Sequence, residues 1–215
     1  NWNNLHFTMK DLYIVGNWKE NKTVDEAISF LSEFTKTYEA RPNIKVIMCP
    51  AYLAVPQVSA FVKSNNLQVE VGVQDVSKFS EGAHTAEVSA YEASEFANFS
   101  IIGHSERRSR GDTDDDVKTK VEMAIKNNLE PIVCVINENV PVPQGTKIIA
   151  YEPVEAIGTG NPDTPENAES IASSIKSKNS QVQYILYGGS VTSENVRSFT
   201  EKENIDESLI EPMPL

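Results

Sequence analysis

Four short segments of this sequence carry side chains or glycines that could together move a proton on an anionic substrate. Lys19 supplies a cation, His104 an imidazole, and Glu152 a carboxylate that the following proline holds extended. Two glycine-rich turns supply backbone N–H groups of the kind that bind anions: residues 158–160, in the same segment as Glu152, and residues 188–189, which form the fourth segment. A carboxylate base, an imidazole and an ammonium are groups that suit proton transfer beside a carbonyl.

Each segment taken alone also has a structural interpretation. A lysine after a strand is usually solvated, and a histidine there is more often a structural residue than a catalyst. A carboxylate or a glycine pair at such a place can simply end a strand or form a turn. The four segments together favour a shared site because each directly follows a predicted strand.

The elements that must position these segments are brief apolar strands that alternate with amphipathic helices. The predicted strands are Leu12–Val15, Lys45–Cys49, Gln68–Gly72, Ser100–Ile102, Ile132–Val135, Lys147–Ala150, Tyr184–Tyr187 and Ser208–Ile210. Eight strands alternating with helices predict an α/β fold, the closed (β/α)8 barrel. Since catalytic residues of such barrels lie at the carboxyl ends of the strands, we expect the four segments to meet at one rim.

The sequence also predicts where helices start and where two are missing. Capping signals indicate helix starts at 23–26, at 113–116 and at 164–165. Pro141 and Pro143 exclude a crossover helix after the fifth strand, and no helical pattern follows the eighth. The barrel is therefore predicted to be trimmed, with the helices after strands five and eight missing or replaced by loop. Those two strands would then expose apolar surface that a barrel normally covers.

Composition limits the domain count and the kinds of partner. The chain has 215 residues, 40% of them apolar, which predicts one domain at residues 9–215, preceded by an extension at residues 1–8. The formal charge of −12 disfavours nucleic acid and membranes as partners. Cys49 and Cys134 lie in apolar runs and are predicted to be buried free thiols. That pattern indicates neither a disulfide nor a metal site and favours a cytoplasmic protein.

The strings around the candidate residues resemble motifs of the triosephosphate isomerase family, in that family's order. They are GNWK at 16–19, IIGHSERR at 101–108, AYEPVEAIGTG at 150–160 and LYGGSV at 186–191. The resemblance covers nearly the whole chain from Met9 onward. It implies a TIM barrel that interconverts dihydroxyacetone phosphate and D-glyceraldehyde 3-phosphate through an enediolate, with no metal and no organic cofactor.

The resemblance also implies roles for five residues of the catalytic set. Glu152 would be the base, His104 the electrophile and Lys19 the electrostatic stabiliser. Asn17 would position the substrate, and Glu106 belongs to the same set. A helix predicted to start after His104 would disfavour a charged imidazole, which is how this family is known to keep that ring neutral.

Further positions would bind the phosphate or join subunits. By resemblance, Gly158, Gly189 and Ser190 lie at the substrate phosphate, and Val154–Gly160 is a closing lid. Thr85 lies in the loop that the family inserts into a neighbouring subunit, which implies a homodimer.

The end of the chain departs from the family pattern. Glu211 and Pro212 stand where two phosphate-binding glycines are expected. Because Pro212 lacks an N–H and Glu211 adds negative charge, this departure predicts a weakened hold on the phosphate. An alternative to the active enzyme is therefore a weakened or inactive barrel that serves as a binding or structural protein.

Overall fold

A computed structural model describes residues 12–153, 163–192 and 194–210. Its strands are β1 (Leu12–Asn17), β2 (Ile44–Cys49), β3 (Glu70–Val73), β4 (Phe99–Ile102), β5 (Glu130–Val135), β6 (Ile148–Tyr151), β7 (Tyr184–Tyr187) and β8 (Glu207–Ile210). Its helices are α1 (Val24–Thr37), α2 (Val55–Ser64), α3 (Ala90–Ala93), α4 (Ser105–Ser109), α5 (Asp114–Lys126), α6 (Pro165–Lys178) and α7 (Val196–Thr200).

The eight strands form a closed parallel barrel. Each strand pairs with the next along the chain, and β8 pairs with β1, where Tyr13 is opposite Glu207. All eight predicted strands are present, with boundaries shifted by at most two residues. The predicted (β/α)8 fold is therefore confirmed.

Alternate strand residues fill the interior of the barrel. The buried cluster comprises Tyr13, Val15, Ile47, Cys49, Phe99, Ile101, Ile132, Cys134, Ile148, Ala150, Leu186 and Leu209. β3 contributes Gly72, where an added Cβ would lie 2.6 Å from the Cys49 Sγ, so this position has no room for a side chain. Cys49 and Cys134 are both buried and free, as predicted, and burial raises the pKa of the Cys49 thiol to about 12.

The connection between β5 and β6, residues 136–147, contains no helix, as its prolines predict. The expected exposure of strand five is nevertheless wrong, because β5 is buried from its second residue onward. Val140 and Val142 of the connection pack against the hydrophobic core in place of a helix. On β8 the described side chains are also largely buried, Leu209 at 1% exposure. Residues 211–215, like the predicted extension at 1–8, lie outside the described residues.

The predicted helix starts are confirmed by their capping contacts. Thr23 and Glu26 form a reciprocal capping box before α1, and Thr113 and Asp116 form one before α5. The side chain of Thr164 caps α6. Over the described ranges, no helix is long and apolar enough to cross a membrane.

Ala86, in the loop after β3, has a φ of 71°, a left-handed conformation that is unfavourable for alanine. We expect Ala86→Gly to raise the free energy of unfolding by roughly 0.5–1 kcal/mol. This gain is the relieved backbone strain minus the cost of the greater conformational entropy that glycine has in the unfolded chain. Urea denaturation at fixed protein concentration measures the change. Ala83→Gly, in the same exposed loop but without a positive φ, is the matched control and should lose stability. Equal effects of the two substitutions would refute the strain argument.

Candidate active site

His104 and Glu152 meet at the carboxyl ends of β4 and β6. The Nε2 of His104 lies 3.1 Å from the Oε1 of Glu152, and both side chains are buried. The other carboxylate oxygen accepts a hydrogen bond from the backbone N–H of Ser105, at 3.2 Å. The structure therefore brings together the predicted base and the predicted electrophile.

The start of α4 determines which nitrogen of His104 carries the proton. The backbone N–H of Glu106 donates to the Nδ1 of His104 at 3.2 Å, so Nδ1 acts as an acceptor. In a neutral ring the proton is then on Nε2, on the side of Glu152. With Nδ1 as the acceptor, a neutral ring presents its Nε2–H as a hydrogen-bond donor at the rim.

Lys19 and Asn17 occupy the end of β1. Asn17 is the last residue of that strand, and its Oδ1 accepts a hydrogen bond of 3.2 Å from the Lys19 backbone N–H. The ammonium of Lys19 lies 3.0 Å from a carboxylate oxygen of Glu106, whose side chain is about half exposed. This pair brings a cation to the same rim as His104.

The turn after β7 contacts the predicted base. Gly188 follows β7, and a Cβ added there would lie 3.0 Å from the Cγ of Glu152 and 3.2 Å from a carbonyl oxygen. Gly189 and Ser190 follow directly, and the Ser190 carbonyl accepts a hydrogen bond from the Asn195 amide at 3.0 Å. Two of the predicted phosphate residues therefore lie next in the chain to a glycine that touches Glu152.

Several predicted positions lie outside the described residues. They are the phosphate residue Gly158, the lid segment Val154–Gly160, and the C-terminal residues Glu211 and Pro212.

A cavity of about 550 Å³ opens beside the cation and the imidazole. Asn17, Lys19, His104 and Glu106 all contribute to its wall, while Glu152 does not. The cavity extends toward the ends of β2 and β3. Its Lys19 end is large enough for a small organic anion. Among the described residues, no cluster of histidine, cysteine or carboxylate side chains is arranged to hold a metal ion.

The loop that carries Thr85 is exposed and internally ordered. The rings of Phe79 and His84 stack with centroids 4.1 Å apart, and the Ser77 backbone N–H donates to Val88. Thr85 itself is exposed at the loop tip. Residues 86–88 of this loop also line the cavity beside Lys19.

Two sets of residues were missed by the sequence analysis, and both begin at the end of β3. Gln74 donates hydrogen bonds to the carbonyls of Lys19 and Cys49. Asp75 anchors a network of buried charges with Lys120. The only signal in the sequence was their place two and three residues after the predicted strand Gln68–Gly72.

The charged network joins β3 to the two helices that follow β4. The Lys120 ammonium lies 2.7 Å from Asp75 and 2.5 Å from Asp112, and its side chain is 5% exposed. Arg107, next to Glu106 on α4, lies 3.0 Å from Asp75. Burial raises the pKa of Asp75 above its ordinary value, although the nearby Lys120 ammonium acts in the opposite direction. The network therefore fixes α4, and with it the backbone N–H that faces His104.

Comparison with known proteins gives consistent matches along the chain. A family model described as triosephosphate isomerase matches residues 12–145 and 138–211, two ranges that overlap in the connection without a helix. The triosephosphate isomerase of Mesomycoplasma hyorhinis is 36% identical over 226 aligned positions, which cover 94% of this chain and 93% of the relative. That of Endomicrobium trichonymphae is 34% identical, with coverage of 94% and 93%. That of Leifsonia xyli subsp. xyli is 33% identical, with coverage of 92% and 90%.

Proposed function

The chain belongs to the triosephosphate isomerase family, and we propose that it interconverts dihydroxyacetone phosphate and D-glyceraldehyde 3-phosphate. The observation that carries this proposal is the approach of Glu152 to His104, 3.1 Å apart and buried at the catalytic rim of the barrel. Lys19 adds a cation at the same rim. A base, a neutral donor and a cation are what an aldose–ketose isomerisation through an enediolate needs.

In the proposed reaction, the carboxylate of Glu152 removes a proton from C1 of dihydroxyacetone phosphate. The C–H electron pair forms the C1–C2 double bond of the enediolate, and the carbonyl oxygen at C2 takes up negative charge. The Nε2–H of His104 donates to that oxygen. His104 gives its Nε2 proton to the C2 oxygen and takes up the hydroxyl proton of the C1 oxygen in exchange. Glu152 then returns its proton to C2, which gives the aldehyde at C1 and the hydroxyl at C2 and restores both the carboxylate and the neutral imidazole.

Lys19 stabilises the negative charge of the enediolate. Its ammonium now pairs with Glu106, and a bound substrate would compete for the same cation. Asn17 holds the backbone N–H of Lys19 and contributes to the cavity wall, which supports a positioning role. Burial of the base keeps water away from Glu152, so its interaction with His104 acts in a low-dielectric environment.

For the phosphate we propose the backbone N–H groups of Gly158, Gly189 and Ser190. The support is the position of the last two, which follow Gly188 where it contacts Glu152. No metal or organic cofactor is needed in this scheme, because each transferred proton and each developing charge has its own side chain. The two buried free thiols fit a reducing cytoplasm, where we propose that the protein acts in glycolysis.

A coupled assay that starts from dihydroxyacetone phosphate tests the function directly. We expect turnover by the metal-free, cofactor-free protein and saturable binding of 2-phosphoglycolate, a phosphorylated mimic of the enediolate. A barrel that has lost its activity would fold but fail both measurements, and that result would overturn the proposal.

We further propose that the protein is a homodimer joined through the loop that carries Thr85. Support comes from the exposure of this loop and from Leu53, which follows β2 and is 87% exposed.

Light scattering at micromolar concentration should give a mass of two chains or more. Thr85→Arg should shift the mass toward one chain, because the arginine would place a large charge in the interface. Thr37→Arg, at the exposed end of α1, is the control, and a monomeric parent protein would contradict the proposal.

A further inference from the structure

A second cavity opens at the amino end of the barrel, away from the catalytic rim. Its volume is about 670 Å³, within the range of roughly 300–1,000 Å³ in which proteins bury a small ligand. The wall is formed by the first residues of β1, β2 and β3 and by the loop before β2, residues 40–43. Its apolar part consists of four half-buried side chains, those of Leu12, Ile44, Val46 and Leu67. Apolar side chains left half-buried around a cavity favour an apolar occupant.

The chain itself enters the barrel through the wall of this cavity. Leu12 is the first described residue, and its backbone N–H donates to the carbonyl oxygen of Asn43 at 2.8 Å, in the loop that lines the cavity. The eleven residues before Leu12 are therefore attached to the chain at this wall. A segment tethered this closely has an effective concentration at the cavity on the order of millimolar, which a separate partner would have to exceed.

That segment carries an alternating pattern of apolar and polar residues. Leu5, Phe7 and Met9 are apolar, and the residue after each of them is polar. A period of two places the three apolar side chains on one face of an extended segment. Within the described barrel β1 is already paired on both edges, with β2 and β8, so this face needs a surface other than a strand edge of β1.

The charge at the edge of the cavity matches the residue next to Leu12. Arg41 and Lys45 both line the cavity and are exposed. Each is two residues from Asn43, which accepts the Leu12 N–H, so a carboxylate at position 11 can reach both cations. That position holds an aspartate, a residue that also favours the turn needed to bring residues 5–9 back from Leu12 onto the wall.

We propose that residues 5–9 dock into this cavity, with the side chains of Leu5, Phe7 and Met9 against its apolar wall and Asp11 facing Arg41 and Lys45. Five extended residues span about 17 Å, enough to cross the amino ends of β1, β2 and β3 at a strand spacing of about 4.8 Å. The segment then closes the amino end of the barrel and belongs to the barrel domain, although the sequence alone suggests an extension that ends at residue 8.

Thiol labelling tests the docking directly. In Met9→Cys the thiol replaces a side chain of the docked face, whereas in Thr8→Cys it lies on the opposite face, one residue away. We expect dithionitrobenzoate to react at least about 10-fold more slowly with Met9→Cys than with Thr8→Cys, each rate being divided by that of the same variant in urea. Cys49 and Cys134 are buried, and the parent protein gives their background rate. Equal normalised rates in the two variants would overturn the proposal.

A blocked cavity shows whether the protected thiol lies in it. Ala40 is an exposed residue of the cavity wall, so the indole of Ala40→Trp occupies part of the space. In that background the rates of Met9→Cys and Thr8→Cys should come within about two-fold of each other. Ala60→Trp, the same substitution at an exposed position of α2 away from the wall, should leave the difference unchanged. If Met9→Cys stays protected in the Ala40→Trp protein, the segment docks elsewhere and the proposed site is wrong.

Dilution distinguishes the chain's own segment from that of a second copy. Docking within one chain does not depend on protein concentration, so the labelling rate of Met9→Cys should stay the same over about a 100-fold dilution. A rate that rises on dilution would show that the occupant comes from another chain, and the proposal would then be overturned.

Discussion

Glu152→Gln is expected to lower kcat by roughly 10²- to 10⁴-fold, the contribution usual for general-base catalysis. The amide keeps the shape of the side chain and can still accept the hydrogen bond from Ser105, but it cannot take up a proton. Because the phosphate contacts are not altered, KM should change by only a few fold. Steady-state kinetics with dihydroxyacetone phosphate measure both constants.

The control for this variant is Glu130→Gln, the same substitution at the first residue of β5, at the opposite end of the barrel. Its partner is Lys147 and it has no contact with the site, so kcat should stay at the parent value. The Glu152→Gln protein should also unfold at an equal or higher temperature, because the substitution removes a fully buried charge. Unchanged kcat in Glu152→Gln would show that another residue is the base.

The barrel and its rim could be predicted because their signals are local. Each strand is a short apolar run with clear ends, and parallel strands place their carboxyl ends on one face. His104 and Glu152 could therefore be assigned to one rim from sequence alone. The capping boxes at Thr23 and Thr113 were equally predictable, since both partners lie within three residues.

The contacts that hold the site could not be predicted, because they join residues far apart in sequence. The bond from Gln74 to Lys19 spans 55 positions, and nothing in either segment names the other. The exposure predicted for strand five failed for a similar reason. A loop with Val140 and Val142 covers the strand, and its conformation is set by tertiary packing that no periodicity reports.

Lys120 is an intermediate case. In the sequence it is one of several charged residues of α5 and would ordinarily be assigned to a solvated face. Its spacing from Val117, Val121 and Ala124 nevertheless places it on the buried side of the helix. A lysine on an apolar face indicates a buried anion as partner, and the structure supplies Asp75 for it.

Lys120→Met is the second substitution with a large expected effect. It should lower the free energy of unfolding by about 3 kcal/mol or more, the cost of leaving buried carboxylates without their cation. The cation that pairs with both Asp75 and Asp112 would then be Arg107, whose side chain is 42% exposed. Urea denaturation measures the loss. Lys118→Met, at an exposed position of the same helix, is the control and should stay within about 0.5 kcal/mol of the parent.

The loss should also depend on pH in a defined direction. Burial already raises the folded-state pKa of Asp75 above its ordinary value of 3.8, so the protonated side chain stabilises the folded state relative to the unfolded one. This stabilisation is complete below about pH 4. That contribution is lost as the pH rises through the folded-state pKa. Removing the Lys120 ammonium raises this pKa further, because the attraction that favours the carboxylate is gone. The destabilisation by Lys120→Met should therefore be larger at pH 8 than at pH 5, and an equal or smaller loss at pH 8 would contradict this account.

A double variant tests whether the stranded charge is the cause. Asp75→Asn removes one carboxylate, so in Lys120→Met/Asp75→Asn the remaining Asp112 faces Arg107 as one anion with one cation. We expect the double variant to recover at least half of the stability that Lys120→Met loses, and to lose most of the pH dependence as well. The alternative cause is poor packing of the methionine side chain, and it predicts the opposite result. In that case Asp75→Asn adds its own loss of stability to that of Lys120→Met and recovers nothing. Since Arg107 adjoins Glu106 on α4, the single variant should also lower kcat/KM, and the double variant should restore it in proportion to the recovered stability.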